Sequence, residues 1–369
     1  MRKTLGLVLV GLGALLLVIA PLLKWYVAPR AEVTPLACTG TTLCDGGVSL
    51  SPSAGMAATL FDAGALKSVT NVSLVSTSRY RTDVAASHGA DNRTVFEVFQ
   101  SVNASPVSQI SAPDGLVDAS TSRYAFDGHT SDMINCCNAN LSGTPITDFT
   151  GMVPFKFPFN VAQKSYPYFD STLGKPVTIE FKGTATLQGL KVYKFSQTIP
   201  PTQYATLEVP GSLVGQPDQP SVKAPRFYTN ERTVWVEPTT GSVVNGTEHQ
   251  RQTLRGSDGT DQLVLLDATL SFTPENVRGS VDAAKSGANK INLIGSTLPL
   301  ICLILGLVLL LLGLYFALGR QGGAAHAGPT GPKDSPGSTA QTEAATNLTA
   351  LLNEPRPASP DLPGPPPGT

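Results

Sequence analysis

Leu298–Leu318 reads LPLICLILGLVLLLLGLYFAL, twenty-one consecutive residues without a charge. At ~1.5 Å of rise per residue, a helix of this length covers about 30 Å, the thickness of the hydrocarbon core of a bilayer. A helix buried in a soluble core is the alternative, but such a core would have to cover an apolar helix on every side. The sequence therefore predicts a transmembrane helix over residues 294–318.

A second apolar run, Leu5–Leu23, contains nineteen residues without a charge, and the Trp25-Tyr26 pair follows it. Tryptophan and tyrosine are typical of the membrane interface. A cleaved signal peptide is the alternative, but its apolar region would exceed the usual ~7 to 15 residues, and no small-residue cleavage site follows closely. We expect a transmembrane anchor over residues 5–23, preceded by residues 1–4 in the cytoplasm.

Two spans place both termini on one side of the plasma membrane and residues 24–293 on the other. The lysine and arginine count does not decide which side is which, but the cysteines do. Cys38, Cys44, Cys136 and Cys137 lie between the spans, and only Cys302 lies within one. An even number of cysteines is typical of an oxidising compartment. We therefore expect an extracytoplasmic domain over residues 24–293 and cytoplasmic termini.

Three disulfide connectivities remain open for the four cysteines between the spans. Adjacent Cys136 and Cys137 can bond to each other, which would leave Cys38 and Cys44 to close a short local loop, or each can pair with one of those two. The spacing does not fit a four-thiolate zinc site. We expect structural disulfides and no metal.

The composition limits the function. Charged residues make up 14 % of the chain, and 26 basic side chains against 27 acidic ones give a net charge of -1. This balance argues against nucleic acid as a partner, because such binding rests on a basic surface. Residues 319–369 are rich in proline and poor in apolar side chains, so they cannot bury enough surface to fold. We expect a disordered cytoplasmic tail there.

Between the spans, short alternating runs broken by turn residues predict β-strands, most of them of about five to seven residues. The runs are Val69–Val75, Val95–Phe99, Val177–Phe181, Leu190–Phe195, Thr233–Glu237 and Leu263–Phe272. Pro238-Thr-Thr-Gly241 and Leu187-Gln-Gly189 predict hairpin turns, and Pro200–Pro225 predicts a long excursion or lid. Thr273-Pro-Glu275 predicts a helix start. The predicted fold class is a mainly β (α+β) domain, a partly closed barrel or sandwich, held between two transmembrane helices.

One stretch of fifteen residues concentrates the aromatic side chains. It contains Phe155, Phe157, Phe159, Tyr166, Tyr168 and Phe169. Alternate rings of Phe155-x-Phe-x-Phe159 fall on one face of a strand, which favours burial in the domain core. The functional interpretation is an apolar ligand-binding pocket, or its mouth, for acyl chains.

The chain contains few residues that could carry out catalysis. Asp127, His129 and Asp132 are candidates for a cation site, but Asp127-Gly128 is a turn signal that explains them without a metal. No hydrolase or metalloprotease motif is present, and His88, His129 and His249 have no nucleophile at a diagnostic spacing. We predict no enzyme activity, no catalytic residue and no cofactor.

Four stretches together resemble the porin PorA family of high-GC Gram-positive bacteria, many members of which are known only as a domain of unknown function. The stretches are Phe155-Lys-Phe-Pro-Phe-Asn160, Tyr166-Pro-Tyr-Phe-Asp170, Gly189-Leu-Lys-Val-Tyr193 and Tyr228-Thr-Asn-Glu-Arg-Thr-Val-Trp-Val-Glu-Pro-Thr-Thr-Gly241. The resemblance implies an envelope protein and covers the chain except its tail. A membrane barrel, however, requires strands of ~10 residues with an apolar outer band, which short strands do not supply. The two-anchor layout is similar to that of class B scavenger receptors, an architectural analogy that implies a lipid-conducting ectodomain.

These features lead to three hypotheses. The first is an envelope protein whose extracytoplasmic domain binds or passes an apolar ligand, an envelope lipid. The second is a non-enzymatic interaction or scaffold module that docks another envelope protein. The third is a pore-forming protein. The bilayer is a partner in all three.

Overall fold

Long antiparallel strands occupy most of the chain between the two apolar helices. The computed structural model describes residues 2–34, 49–87 and 92–318. The strands are β1 (Ser49–Asp62), β2 (Lys67–Thr82), β3 (Arg93–Ala104), β4 (Leu116–Asp127), β5 (Asn140–Leu141), β6 (Thr144–Pro145), β7 (Tyr166–Asp170), β8 (Lys175–Leu187), β9 (Leu190–Val209), β10 (Val222–Val236), β11 (Val243–Arg255) and β12 (Asp261–Phe272). The predicted tail, 319–369, lies outside the described residues.

The strands form one twelve-stranded sheet in the order β6-β5-β4-β3-β2-β1-β12-β11-β10-β9-β8-β7. Every predicted strand run lies within one of them, except that β10 ends at Val236, one residue before the predicted Glu237, and both predicted hairpin turns join neighbouring strands. The expected strand length was wrong, because the principal strands run from 12 residues in β3 to 20 in β9. Polar residues and β-bulges interrupt the apolar alternation, while the hydrogen-bonded ladder continues past them.

The sheet closes on itself at the ends of β4 and β7. Two short connecting segments lie between these strands, and isolated bridges link Phe126 to Met133, Asp132 to Met152 and Met152 to Tyr168. Backbone hydrogen bonds continue through them, including Met152 N to Pro167 O at 2.7 Å. The result is the predicted partly closed barrel.

Away from this closure, some strand edges face no further strand within the described part of the chain. They include residues 116–122 of β4, residues 198–209 of β9 and residues 180–187 of β8. The predicted excursion at Pro200–Pro225 was wrong, because β9 continues through Pro200 and Pro201. Proline is tolerated on an edge strand, and the pairing with β10 shifts register at these two residues.

The sheet has an inner and an outer face, which directly paired residues define. On the inner face Arg232 lies opposite Glu248, and Tyr228 lies opposite Gln252. On the outer face Thr229 lies opposite Arg251, which in turn lies opposite Asp267 of β12. The inner face also carries an aliphatic wall on β1–β4, β12 and the segment between β3 and β4. Its members are Ala58, Leu60, Val72, Leu74, Ala104 and Ala268, with Val69, Val102, Ile110, Val117, Leu266 and Leu270 partly buried beside them.

Two helices, Arg2–Ala31 and Pro274–Leu318, are long and apolar enough to cross a membrane. The first comprises α1 (Arg2–Leu22), a π-helical turn (Leu23–Val27) and α2 (Ala28–Ala31); the second comprises α3 (Pro274–Asn292), a π-helical turn (Leu293–Thr297) and α4 (Leu298–Leu318). The predicted helix start is confirmed, since the Thr273 side chain accepts a hydrogen bond from Asn276 N.

Glycines bring α1 and α4 into close contact. A Cβ atom on Gly13 would lie 2.7 Å from Gly306 O, and a Cβ on Gly313 would lie 2.6 Å from Val10 N. Gly6 makes the same kind of contact one heptad before Gly13. Small residues that let helix backbones approach are typical of helix pairs in membranes. Gly11, by contrast, has no atom within 4 Å of its Cβ position and lies outside this contact.

Candidate functional site

Five of the six rings of the predicted aromatic cluster are divided between two parts of the core at the closed end of the sheet, and the sixth, Phe159, stacks on the ring of His129. Phe157, Tyr166 and Tyr168 pack with Phe195 and Val236. Phe169 and the partly buried Phe155 pack with a second group formed by Tyr124, Phe126, Phe149 and Val153. Phe157 and Phe169 are fully buried, so their packing is that of a core. Ligand binding by these residues stays a prediction.

Two of the stretches that carry the family resemblance, residues 155–160 and 228–241, are joined by backbone hydrogen bonds next to this cluster. Phe157 N donates to Gly241 O at 2.8 Å, and Val161 N donates to Pro238 O at 2.7 Å. Gly241 has a φ of 73°, and a Cβ on it would collide with the carbonyls of Phe157 and Pro158. Glycine is therefore required both for the turn and for the close approach.

An ion network lies on the inner face beside the aromatic cluster. Arg232 contacts Glu248 at 2.5 Å and Asp170 at 3.3 Å, and its guanidinium lies 5.2 Å from the centre of the Tyr168 ring. Burial acts to raise the pKa of Glu248, but the charge and hydrogen bonds of Arg232 outweigh it, so the pKa lies below its usual value. Two amides complete the network. Gln197 accepts a hydrogen bond from Arg232, and Asn230 donates one to Glu248.

Sequence reasoning missed this network, although three of its members lay in stretches already singled out. Asp170 ends the Tyr166-Pro-Tyr-Phe-Asp170 stretch, and Asn230 and Arg232 lie in the stretch that begins at Tyr228. The signal was a strand with polar residues at both odd and even positions, which an alternating strand on an apolar core does not need. Such a pattern indicates that the inner face is itself polar.

A polar patch lies further along the same face, formed by Tyr204, Arg226, Tyr228 and Gln252. Gln252 Oε1 accepts from Tyr204 Oη at 3.0 Å and from Arg226 Nη2 at 2.6 Å. The guanidinium lies 5.3 Å from the centre of the Tyr204 ring. Burial raises the pKa of Tyr204 to about 12. The patch thus holds an aromatic face, a cation and an amide within contact of one another.

The outer face is charged. Arg251 pairs with Asp267 at 2.7 Å and with Asp261 at 3.6 Å, and His249 contacts Asp267 at 2.9 Å. On β3 and β4, Arg123 pairs with Glu97 at 2.9 Å. These ion pairs lie on the strands that would have to face lipid if the sheet crossed a membrane.

The sulfur atoms of Cys136 and Cys137 are in direct contact, in the arrangement of a vicinal pair. Cys38 and Cys44 lie outside the described residues, as does His88. The backbone of the pair is held by Arg123, whose Nε donates to Cys137 O at 2.7 Å. Oxidation of these thiols stays a prediction.

The Asp127-Gly128 turn is present, and Asp127 Oδ1 accepts from His129 N and Thr130 N at 2.8 Å each. The imidazole of His129 instead faces the segment after the first helix, with Nδ1 2.6 Å from Glu32 O. Two of the three candidate metal ligands, Asp127 and His129, are thus used in a turn and in a contact with the helix linker.

Lys156 lies next to the contact between His129 and Glu32. Among the described residues, no carboxylate lies at ion-pair distance from its Nζ. Its Nζ donates to Phe157 O at 2.9 Å and lies 4.1 Å from the centre of the Phe159 ring. Burial lowers the pKa of Lys156 to about 7, although the charge of Asp127 acts in the opposite direction.

Comparison with known proteins shows to which family the chain belongs. The sequence profile described as Porin PorA matches residues 5–315. Two relatives named Porin PorA are similar to it: one from Corynebacterium amycolatum, 28 % identical over 85 % of this chain and 98 % of the relative, and one from Corynebacterium resistens, 26 % identical over 89 % and 99 %. The profile covers both helices and the sheet between them. The chain therefore belongs to the porin PorA family.

Proposed function

We propose that the chain is a two-pass envelope membrane protein whose extracytoplasmic sheet binds or passes an envelope lipid. The observation that carries this proposal is the contrast between the two faces of the sheet. The inner face combines an aliphatic wall with polar groups, whereas the outer face carries ion pairs. A lipid has an apolar tail and a polar headgroup, which the aliphatic wall and the polar groups of the inner face can each contact. A charged outer face is typical of a domain surrounded by water.

The helices supply the membrane attachment in this proposal. Their apolar side chains are largely uncovered, as the exposure of Leu300 and Ile304 illustrates. A transmembrane β-barrel instead requires an apolar band on its outer face. Arg251 and Asp267 occupy that face on the two strands next to β1 and β10, so the sheet suits water better than lipid.

The aliphatic wall is the proposed site for the apolar part of the ligand. Leu266 and Leu270 are only partly buried although they lie on the inner face. Their uncovered surface is available to an acyl chain, and each buried CH₂ of such a chain contributes about 0.8 kcal/mol. The fully buried rings at the closed end form the base of this interior.

A non-enzymatic scaffold that docks another envelope protein is the alternative use of the same domain. It predicts that purified protein carries no lipid and that a protein partner covers the exposed side of the sheet. Pore formation is the second candidate function, and the name of the family and of both relatives favours it. Conductance of the purified protein in a planar bilayer tests it directly.

The lipid proposal is tested by native mass spectrometry of gently purified protein. We expect co-purified lipid, reduced in Leu266→Trp, which fills the inner wall, and retained in Thr269→Trp, an exposed outer-face position on the same strand. Equal lipid content in the two variants and the wild type would count against the inner wall as the binding site. Absence of lipid from all three, with a protein partner recovered, would favour the scaffold.

The topology is tested by protease added to intact, wall-stripped cells. We expect cleavage within residues 24–293 and protection of a tag placed after Thr369. Loss of the tag while the β domain survives would reverse the orientation.

A further inference from the structure

Two buried polar atoms on the inner face have no hydrogen-bond partner. Among the described residues, these are Arg226 Nε and Asn230 Oδ1. Asn230 is 1 % exposed, and its amide nitrogen donates to Glu248 Oε1. A buried donor or acceptor without a partner costs about 1 to 3 kcal/mol, so an interior that leaves two of them unpaired has a reason to do so. One is a donor and the other an acceptor.

Arg226 and Asn230 lie on the same face of β10, on either side of Tyr228. Tyr204 and Gln252, which bond to each other, flank Arg226 from the neighbouring strands. The rings of Tyr204 and Tyr228 lie 6.1 Å apart. The unpaired atoms are therefore bordered by two aromatic rings and by an amide.

A carboxylate faces this patch from the other half of the sheet. Asp118 of β4 lies opposite Val102, on the inner face, and it is exposed. Although Asp118 is accessible to solvent, the surrounding protein partly desolvates its carboxyl and raises its pKa, whereas the charge of Arg226 on β10 lowers it; no ion pair joins the two side chains. Asp118 lies on the part of the β4 edge that faces no further strand among the described residues, and its side chain is on the inner face, as is that of Arg226.

From this juxtaposition, and resting on the proposed lipid binding, we infer that Arg226, Asn230, Tyr204, Gln252 and Asp118 form a subsite for a neutral, hydroxyl-bearing lipid headgroup. Hydroxyl groups both donate and accept, so one headgroup can accept from Arg226 Nε and donate to Asn230 Oδ1 or Asp118. The aromatic rings supply an apolar face for its C–H groups.

The charges decide between a neutral and an anionic headgroup. Arg226 is one cation, but Asp118 faces the same space and Glu248 and Asp170 lie next along the face around Arg232. These five groups sum to one negative charge, so an anion beside Arg226 would meet unfavourable potential from the carboxylates. A neutral headgroup avoids this cost.

The test uses full-length protein in lipid nanodiscs and three probes with the same tail, namely dodecyl maltoside, dodecyl phosphate and dodecanol, with binding measured by titration calorimetry. We expect dodecyl maltoside to bind most tightly. Arg226→Gln should weaken it by about ten- to a hundredfold, the range for a lost hydrogen bond to a charged group, and leave dodecanol unchanged. Arg251→Gln, on the outer face, is the matched control and should change neither.

Asp118→Asn is the second variant, because substitutions at exposed positions such as this one change the stability little. It should weaken dodecyl maltoside severalfold. Tighter binding of dodecyl phosphate than of dodecyl maltoside would overturn the neutral class. Equal binding of dodecanol and dodecyl maltoside, or no effect of either inner-face variant, would overturn the headgroup subsite while the apolar site stands. Failure of all three probes to bind the wild type would refute the proposed function itself.

Discussion

Replacing Arg232 by Met removes the one cation that touches both Asp170 and Glu248. The Asp170 side chain is completely buried and the Arg232 side chain is 12 % exposed, so little water is present to replace the lost charge. Breaking a buried ion pair by removing one partner typically costs about 3 to 5 kcal/mol, because the remaining charge is left uncompensated. The contact of the guanidinium with the Tyr168 ring is lost as well.

This cost converts to a fall in melting temperature of about 6 to 20 °C, at roughly 2 to 4 °C per kcal/mol for a domain of this size. The matched control is Arg251→Met, which removes the same side chain from the outer face of the same sheet. The Arg251 side chain is 38 % exposed and its partners are aspartates in contact with water, so we expect a change of about 0 to 1 kcal/mol. Arg232→Lys, which keeps the charge, should fall between the two.

The pH dependence of the stability shows whether loss of the Arg232–Glu248 ion pair causes the destabilisation. The folded-state pKa of Glu248 lies below its usual 4.5, so the stabilising contribution is present above that pH and is lost as the pH falls through the folded-state pKa. Without Arg232, burial raises the pKa of this carboxyl, and protonation relieves the penalty. The deficit of Arg232→Met relative to wild type should therefore shrink between pH 7 and pH 5. Equal melting temperatures for Arg232→Met and Arg251→Met, or a deficit independent of pH, would refute this account.

Three further predictions concern the helix pair, a buried amine and the thiols. Gly13→Leu should lower the stability in nanodiscs by about 1 to 3 kcal/mol, because its Cβ would lie 2.7 Å from the facing backbone, whereas Gly11→Leu should leave it unchanged; equal losses would contradict the packing. The pKa of Lys156 lies near 7 in the folded state against 10.5 normally, so the wild type should gain stability from pH 7 to 9.5 relative to Lys156→Met, and parallel melting curves would exclude this. Alkylation of denatured, unreduced protein should leave Cys136 and Cys137 unlabelled, and labelling of both would show reduced thiols.

The sequence indicated the burial of the aromatic rings, but neither their arrangement nor the polar groups beside them. Phe157, Tyr166 and Tyr168 pack together because large apolar side chains leave water wherever the chain allows it. The expectation that Phe155, Phe157 and Phe159 share one face of a strand was wrong, because residues 155–159 form a turn and an isolated bridge at Lys156. The inner polar groups were not expected. On β10, Arg226 and Asn230 alternate with outer-face polar residues such as Thr229 and Glu231, and a single strand does not reveal which face another strand will cover.

The two apolar helices, the strands, their turns and the helix start at Thr273 follow from the sequence alone, because each depends on hydropathy and backbone preferences within a few neighbouring residues. Strand length, the closure of the sheet through Met152 and the meeting of Asp170 with Arg232 were decided only by the tertiary structure. Each of these depends on pairing between residues far apart in the chain. Only when the sheet curls does one face of β10 become an interior, and only then do the charges on that face acquire partners.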